Sequence, residues 1–318
     1  MTAYEIHPAV EETAEEIATM EVRGAASIAG AAASALGTQA EQTAADTPEQ
    51  FHAELRQAAR TLLDTRPTAV SLPNALRYVF ERLDGSTVPE LSASAVAGAR
   101  EFETQLATAQ DDLGAIGANR LRDGDTVLTH CHSTDVLACI EAARERGISL
   151  SAIVKETRPR KQGHITARQL REMGVPVTLI VDGAAGRYLD DADHVFVGAD
   201  SIAADGAVIN KIGTRSLAVT ARERDTPIVV AAQTIKLDPA TLSGHTVEIE
   251  NRAEAEVIDD ESRKEIGEIT VQNPAFDVTP PRYVDAIVTE HGQFPPESIV
   301  TLMRELFGEH HKTPWAKR

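Results

Sequence analysis

The sequence has little lysine, few cysteines and no long apolar run. Its first lysine is Lys155, and two cysteines, Cys131 and Cys139, cannot build a disulfide framework in 318 residues. No uninterrupted apolar run reaches about 18 residues, the length a transmembrane helix needs. The acidic start "MTAYEIHPAVEETAEE" lacks the basic and apolar regions of a secretory signal. We therefore expect a cytoplasmic protein that does not enter a membrane.

Negative charge is abundant and is spread along the whole chain. Asp and Glu number 49 against 31 Lys and Arg, which gives a formal net charge of −18. A nucleic-acid groove needs clustered Lys and Arg, so the charge argues against nucleic acid as a partner. Because many acidic residues with little lysine suit a protein kept soluble in high salt, we hypothesise a halophilic protein.

The pattern along the chain predicts an α/β protein of two domains. Residues 1–120 are rich in Ala, Glu and Leu at helical spacing, and predict a helical N-terminal domain. There an Ala-rich helical stretch covers residues 10–42, a second helix ends at Pro67, and a third begins with Pro73 at its first position. Residues 121–318 predict a Rossmann-like catalytic domain, because short apolar strands alternate with helices there, as in βαβ units on a parallel sheet.

The stretch "THCHST" places Cys131 where a predicted strand gives way to a helix. Parallel sheets bind ligands beyond the carboxyl ends of their strands, and the backbone N–H groups at a helix start favour anions and lower a thiol pKa. A small buried structural thiol is the equally frequent alternative. A zinc site is disfavoured, since His130, Cys131 and His132 point to alternating sides and no second Cys or His cluster completes a tetrahedron.

Further polar residues follow other predicted strands. Asp200 ends the apolar run "HVFVGA", where it is a candidate acid or base or else a turn cap, and Gly198 permits close approach of a neighbour. Asn210 and Lys211 in "NKIGT" precede a helix predicted to start near Gly213 and suit a phosphate or sugar hydroxyls. Lys236 adds a cation after another strand.

Arginine-containing motifs complete the candidate anion sites. "RGAAS" begins at Arg23 in a helical region and "TRPTAVSLPNALR" contains Arg66; each is an anion clamp or, alternatively, an ordinary helix-packing or surface segment. "KETRPRKQGHITARQL" is a basic island after a strand, and it favours a phosphorylated ligand or an ion pair with an acidic neighbour. The residues alone therefore indicate an enzyme with an anionic ligand, without naming the substrate.

These motifs resemble a known family. In order, "RGAAS", "RPTAVSLPNALRYV", "THCHS", "ETRPRKQGHITA", "GADSI", "DGAVINKIGT" and "NPAFDVTPP" are similar to segments of archaeal ribose-1,5-bisphosphate isomerases. Those enzymes share a superfamily with methylthioribose-1-phosphate isomerase and the α, β and δ subunits of initiation factor 2B. The resemblance covers nearly the whole chain. "RPTAVSLPNALRYV" with "THCHS" marks the bisphosphate branch, since the methylthioribose enzymes typically carry Asn after the cysteine.

The resemblance implies roles for individual residues. Cys131 matches the family's proton acceptor and Asp200 its proton donor. The implied substrate-binding residues are Arg23, Gly24, Ala25, Ala26, Arg66, Ser133, Thr134, Asp135, Asn210, Lys211 and Lys236. Two departures stand out: Ala26 replaces a common glycine, and the carboxylate of Asp135 would repel a phosphate.

The resemblance also implies a reaction, which is conversion of α-D-ribose 1,5-bisphosphate to D-ribulose 1,5-bisphosphate in nucleotide (AMP) degradation. No metal or redox cofactor is expected. The expected partners are a phosphorylated sugar, a nucleotide activator and further copies of the chain in a dimer or hexamer. Two alternatives stay open: a methylthioribose-1-phosphate isomerase, and a non-catalytic initiation factor 2B-like regulatory subunit. Arg23 with Arg66 argues against the first, and Cys131 with Asp200 against the second.

Overall fold

We describe a computed structural model that covers residues 6–66, 69–247, 249–307 and 313–315. The chain forms two compact units, one of Met1–Ala109 with Gly308–Arg318 and the other of Gln110–Phe307. The first is helical and the second contains the sheets, so the predicted α/β class is confirmed. The domain boundary after residue 120 stays a prediction.

The first unit is built from amphipathic and Ala-rich helices. They are α1 (Pro8–Thr19), α2 (Ala25–Glu41), α3 (Pro48–Leu63), α4 (Ser71–Glu81) and the first part of α5 (Val88–Ala118). Small residues let α2 pack tightly in the core, since a Cβ at Gly37 would lie 2.9 Å from the Cβ of Ala99. The backbone carbonyl of Trp315 accepts a hydrogen bond from Arg60 Nε at 2.9 Å, so the described C-terminal residues also pack in this unit.

Two details of the N-terminal helices differ from the prediction. The Ala-rich stretch is two helices, because Met20 adopts a left-handed φ of 65° at the end of α1 and Gly24 has a φ of 93° before α2. Pro73 is the third residue of α4 and not the first. Proline is tolerated there because the first four N–H groups of a helix have no carbonyl partner within the helix. Helix α3 ends at Leu63, and the predicted terminator Pro67 lies outside the described residues.

The second unit is centred on a mostly parallel sheet. Its strands are β1 (Thr126–His130), β2 (Ser151–Lys155), β3 (Val177–Ile180), β4 (His194–Val197), β7 (Ile228–Ala231), β10 (Ala286–Thr289) and β11 (Gly292–Phe294). Their order is β11-β10-β7-β4-β1-β2-β3, and only β11 pairs antiparallel. The six parallel strands coincide with short apolar runs of the kind that predicted this domain, because strands buried on both faces appear as continuous apolar runs in a sequence.

Alternate residues of the central strands pack into two hydrophobic cores, one on each face of the sheet. Leu128 and Val195 face α8 (Ala185–Tyr188), α9 (Thr214–Glu223) and α11 (Ile299–Phe307). Val127 and Phe196 face the end of α5, α6 (Thr134–Glu145) and α7 (Gly163–Glu172). All four side chains are at most 1% exposed, so the sheet is fixed from both faces.

A second, four-stranded sheet was not predicted. It contains β5 (Ser201–Ala203), β6 (Val208–Lys211), β8 (Leu237–Asp238) and β9 (Phe276–Thr279) in the order β8-β5-β6-β9. Strands of two to four residues give too few alternations for a sequence signal. The short helix α10 (Asp260–Ile266) lies in the polar stretch before β9.

Strand order creates a ligand crevice at one place. From β1 the chain proceeds outward through β2 and β3, then returns to the other side of β1 and proceeds through β4, β7 and β10. The order therefore reverses between β1 and β4, and open α/β sheets bind ligands beyond the carboxyl ends of the strands at such a point. Cys131 follows β1 and Asp200 follows β4.

Candidate active site

Cys131 occupies an unusual backbone position at the mouth of this crevice. Its φ is 72°, in the left-handed region that non-glycine residues rarely adopt. The thiol is 8% exposed and its Sγ lies 3.5 Å from the Oε1 of Gln162, the residue before α7. Close packing brings Gln162 there, because a Cβ at Gly163 would overlap the carbonyl oxygen of Lys155. The thiol is thus held in one direction, towards the start of α7.

Burial governs the acidity of Cys131. Loss of solvent raises the pKa of the thiol to about 11, the negative charge of Asp200 raises it too, and the charges of Lys211 and Arg252 lower it. The expectation of a lowered thiol pKa at the helix start is therefore wrong. The helix begins three residues later, at Thr134, and burial outweighs its dipole and the nearby cations.

Asp200 lies within electrostatic reach of the thiol. Its backbone N–H donates to the carbonyl of Ile209 at 2.9 Å, which fixes the turn between β4 and the second sheet, and its side chain is exposed. The carboxylate raises the pKa of both Cys131 and Lys211. The crevice therefore holds a thiol, a carboxyl group and an amine whose charges act on one another, as acid/base chemistry requires.

Lys211 is the buried amine of this group. It ends β6 with 6% exposure, its Nζ donates to the carbonyl of Ala275 at 3.2 Å, and it lies 4.7 Å from the ring centroid of Phe276. Burial lowers the pKa of its amine, and the opposing charge of Cys131 raises it. Asn210 beside it donates to the hydroxyl of Thr214 at 3.0 Å, which ties the strand to the start of α9.

A cavity lined by cations opens next to Lys211. Arg158, Arg160, Lys211 and Arg252 contribute four positive charges to its wall, together with the polar Gln162 and Asn273 and the carboxylate of Glu256. Glu256 accepts from Arg160 at 2.6 Å, and Glu250 accepts from Arg252 at 3.1 Å. Positive charge exceeds negative here in an otherwise acidic protein, so the cavity favours an anion.

The residues after Cys131 begin α6. The side chain of Ser133 accepts from the N–H of Val136 at 3.3 Å and so caps the helix, and Thr134 is its first residue. A Cβ at Gly198 would lie 2.5 Å from the Oγ of Ser133, so the glycine predicted to allow a close approach accommodates this cap. The start of α6 is thereby held against the end of β4.

Asp135 and Lys236 form a buried ion pair. Lys236 Nζ lies 2.6 Å from Asp135 Oδ2, and the side chains are 10% and 1% exposed. The other oxygen of Asp135 accepts from Gln233 Nε2 at 3.0 Å. Asp135 therefore compensates the charge of Lys236, and this removes the objection that an isolated carboxylate would repel a phosphate here.

The remaining predicted binding residues belong to the helical unit. Arg23 and Gly24 lie between α1 and α2, and Ala25 and Ala26 are the first two residues of α2. Arg23 is exposed and Arg66 is half-buried in the loop after α3. Within "RPTAVSLPNALRYV", Pro67 and Thr68 lie outside the described residues.

Several site residues were absent from the sequence-based set. Gln162 contacts the thiol and Arg252 acts on its charge. Thr157 accepts from the backbone N–H of Cys131, and Asp182 accepts in turn from the backbone N–H of Thr157. Thr157 and Gln162 stand inside the recognised "ETRPRKQG" segment, which was the available signal. Arg252 stands in a polar stretch whose secondary structure has no clear periodicity.

Neither a metal centre nor a membrane span is found in the part of the chain described here. Among residues 6–66, 69–247, 249–307 and 313–315, His, Cys, Asp and Glu form no group of three with the geometry to hold a metal ion. Within the same residues, every helix is either too short or too polar to cross a bilayer.

Comparison with known proteins shows where the chain belongs. Residues 21–296 match the Initiation factor 2 subunit family. The chain belongs to this family. Within it, the chain is 68% identical over 319 residues to the ribose 1,5-bisphosphate isomerase of Haloterrigena turkmenica, with 98% of each chain covered. The predicted family and the predicted enzyme class, an isomerase, are thereby confirmed.

Solved structures in the family share the fold. The crystal structure of 5-methylthioribose 1-phosphate isomerase from Pyrococcus horikoshii OT3 matches with a TM-score of 0.78 at 34% identity, covering 93% of this chain and 88% of that one. The structure of the translation initiation factor eIF-2B from the same organism matches with a TM-score of 0.79 at 30% identity, covering 92% and 98%.

Proposed function

We propose that this isomerase converts α-D-ribose 1,5-bisphosphate to D-ribulose 1,5-bisphosphate. The observation that carries the proposal is the 68% identity, over almost the full length of both chains, to an enzyme named for that bisphosphate. The crevice supports it, because a thiol, a carboxyl group and a cation-lined cavity meet where two neighbouring strands end.

In the proposed mechanism Asp200 is the acid and Cys131 the base. The Asp200 carboxyl donates its proton to the ring oxygen as the bond from that oxygen to C1 breaks. The Cys131 thiolate removes the C2 proton, and the C2–H electron pair becomes the C1–C2 double bond of an enol. Asp200 then takes the proton of the C2 hydroxyl while the Cys131 thiol returns its proton to C1. The product is a 2-ketone, and both side chains recover their starting protonation.

The raised pKa of Cys131 shapes this chemistry. With a pKa of about 11, roughly one thiol in ten thousand is ionised at pH 7. The thiolate that forms is correspondingly basic, which suits abstraction of a carbon-bound proton. Lys211, whose charge lowers the thiol pKa, is the proposed stabiliser of the thiolate and of the negative charge that develops on the substrate.

The two phosphates provide the binding energy in this proposal. Arg158, Arg160, Lys211 and Arg252, which line one cavity, are proposed to bind one phosphate. Arg23, Gly24, Ala25, Ala26 and Arg66 are proposed for substrate binding from the helical unit, and Ser133, Thr134, Asn210 and Lys236 from the sheet unit. Asp135 is proposed to act through Lys236, which it holds at 2.6 Å.

The proposal extends to the cellular setting. The enzyme would work in the cytoplasm in AMP degradation, respond to a nucleotide activator, and form a homo-oligomer, dimeric or hexameric. The acidic composition and the Haloterrigena relative fit a halophilic protein.

The test is a comparison of substrates. Purified protein in concentrated KCl is given ribose 1,5-bisphosphate or methylthioribose 1-phosphate, with and without AMP, and products are followed by phosphorus NMR. We expect ribulose 1,5-bisphosphate from the first and at least a hundredfold lower kcat/KM with the second, since the methylthio sugar lacks the charge-assisted contacts of one phosphate (about 3 kcal/mol). Preference for the methylthio sugar would support the activity named for the Pyrococcus horikoshii structure. Binding without turnover of either sugar would support a regulatory subunit.

A further inference from the structure

The backbone of Cys131 is held between two threonine hydroxyls. Its N–H donates to Oγ1 of Thr157 at 2.9 Å, and its carbonyl accepts from Oγ1 of Thr166 at 2.8 Å. The peptide groups on both sides of a residue determine where its side chain points. At a φ of 72° this residue is in a conformation that the chain would leave without such support.

Thr157 is itself in a rare conformation. Its φ is 62°, a marked outlier for a β-branched residue. The carboxylate of Asp182 holds the turn by accepting two successive backbone N–H groups, that of Thr157 at 3.0 Å and that of Arg158 at 2.7 Å. Cys131 and Thr157 are thus both in the left-handed region and are joined by a hydrogen bond, and Asp182 anchors Thr157. Two such rare conformations in contact indicate a backbone arrangement that serves the site.

His130 sets the direction of the threonine hydroxyl. Its Nε2 lies 2.8 Å from the carbonyl oxygen of Ile212, which can only accept, so Nε2 carries the proton. Burial lowers the pKa of His130 to about 4, so the ring is neutral and Nδ1 is an acceptor. The hydroxyl proton of Thr157 has two acceptors within reach, His130 Nδ1 at 3.2 Å and the Lys155 carbonyl at 3.1 Å. The lone pairs of Oγ1 are thereby left for the N–H of Cys131.

We propose that Thr157, oriented by Asp182 and His130, is a positioning residue that fixes Cys131 in the left-handed conformation and keeps its thiol facing Gln162 and Lys211. This inference rests on the proposed role of Cys131 as the base. Thr157 acts through the cysteine and touches no reacting atom in this account. Thr157 fixes the orientation of the thiol before substrate binds. Removing the Thr157 hydroxyl should therefore affect the chemical step more than substrate binding.

The test replaces the hydroxyl and then restores it. Thr157→Val keeps the shape and removes the acceptor, whereas Thr157→Ser keeps the acceptor. Thr226→Val is the matched control, because Thr226 is also buried and its hydroxyl also donates to a backbone carbonyl, that of Leu189. Thr226 precedes the amino end of β7, so it lies at the opposite end of the strands from Cys131. We expect Thr157→Val to lower kcat about a hundredfold with little change in KM, and Thr157→Ser and Thr226→Val to stay near the wild type.

A second readout does not depend on the substrate. The pH dependence of Cys131 alkylation by iodoacetamide, mapped by mass spectrometry, reports the thiol itself. In Thr157→Val we expect the midpoint to fall from about 11 towards the ordinary thiol value as the side chain leaves its buried seat. Asp182→Asn serves as a second variant, because its side chain retains one oxygen that can accept from one of the two N–H groups. It should shift the midpoint in the same direction, by a smaller amount than Thr157→Val does.

These measurements separate the two proposals. If the wild type does not turn over the bisphosphate, the proposed function fails, while the alkylation midpoint still tests the positioning by Thr157. An unchanged midpoint in both Thr157→Val and Asp182→Asn would overturn the positioning role. So would an equal loss of kcat in Thr157→Ser and Thr157→Val, because the hydroxyl would then not be the feature that matters.

Discussion

At the scale of single residues, the character of Cys131 follows from burial more than from the helix it precedes. Burial and Asp200 raise its pKa, and Lys211, Arg252 and a backbone N–H oppose them. A motif in the sequence shows the strand-to-helix junction, but it does not show how much water reaches the thiol. This is why the location was predicted correctly and the acidity was not.

The first prediction concerns this acidity. Alkylation of Cys131 by iodoacetamide should accelerate about tenfold for each pH unit between 7 and 9.5, since the ionised fraction grows in that proportion below a pKa near 11. Cys139 is the internal control: it is fully buried and burial raises its pKa still further, so it should remain unlabelled.

The Lys211→Met variant tests the cause. Removing the ammonium removes a charge that lowers the thiol pKa, so labelling of Cys131 at pH 8 should slow. A labelling rate that is already constant above pH 7 in the wild type would contradict the raised pKa.

At the scale of elements, close packing and a buried ion pair connect the end of β4, the start of α6 and the segment after β7. Gly198 leaves room for the cap of α6, and Asp135 in the first turn of α6 holds Lys236. These contacts position the two segments that carry the catalytic candidates, because Cys131 lies just before α6 and Asp200 follows β4. Each gives a prediction about stability.

Gly198→Ala should destabilise the protein by about 1–3 kcal/mol, the usual cost of overpacking. The new Cβ would lie 2.5 Å from Ser133 Oγ and 2.8 Å from its Cβ, and moving Ser133 would break the helix cap. Gly183→Ala is the matched control, because nothing lies within 4 Å of a Cβ there. Denaturant unfolding of both variants checks this, and equal stability of the two would refute the packing argument.

Asp135→Asn should cost about 3 kcal/mol, because it leaves the buried ammonium of Lys236 without its counter-charge. Asp190→Asn provides the comparison: its partner Arg224 lies 3.1 Å away, but both side chains are about half exposed, so the loss should stay below about 1 kcal/mol. Restoring stability in the double variant Asp135→Asn with Lys236→Met would assign the cost to the unpaired charge. A cost that persists in the double variant would point instead to the lost Gln233 contacts.

The element scale also shows how far sequence reading reaches. The parallel strands were predicted because they are apolar on both faces, whereas β5, β6, β8 and β9 are too short to give a recognisable sequence pattern. The break between α1 and α2 depends on a left-handed Met20, which no propensity marks. At the site, strand ends placed Cys131 and Asp200 in one crevice, but the partners Thr157, Gln162 and Arg252 come from loops that only the fold brings together.

At the scale of the whole molecule, the dominant property is a net charge of −18. Repulsion among exposed carboxylates opposes the compact state, and salt screens it over about 10 Å at 0.1 M and about 3 Å at 1 M. We expect the melting temperature to rise steadily as KCl increases from 0.05 to 3 M, followed by circular dichroism. Full secondary structure at 0.05 M KCl, with the same melting temperature as at 3 M, would contradict the halophilic hypothesis.

The central claim is that two side chains at the reversal of strand order perform the proton transfers. The most direct measurement is steady-state turnover of ribose 1,5-bisphosphate by the wild type, Cys131→Ser, Asp200→Asn and the control Cys139→Ser, each confirmed as folded. We expect the first two substitutions to lower kcat by about 10² to 10⁴, the contribution of a positioned acid or base, and the control to change it little. Retention of wild-type kcat by folded Cys131→Ser or Asp200→Asn would contradict the claim.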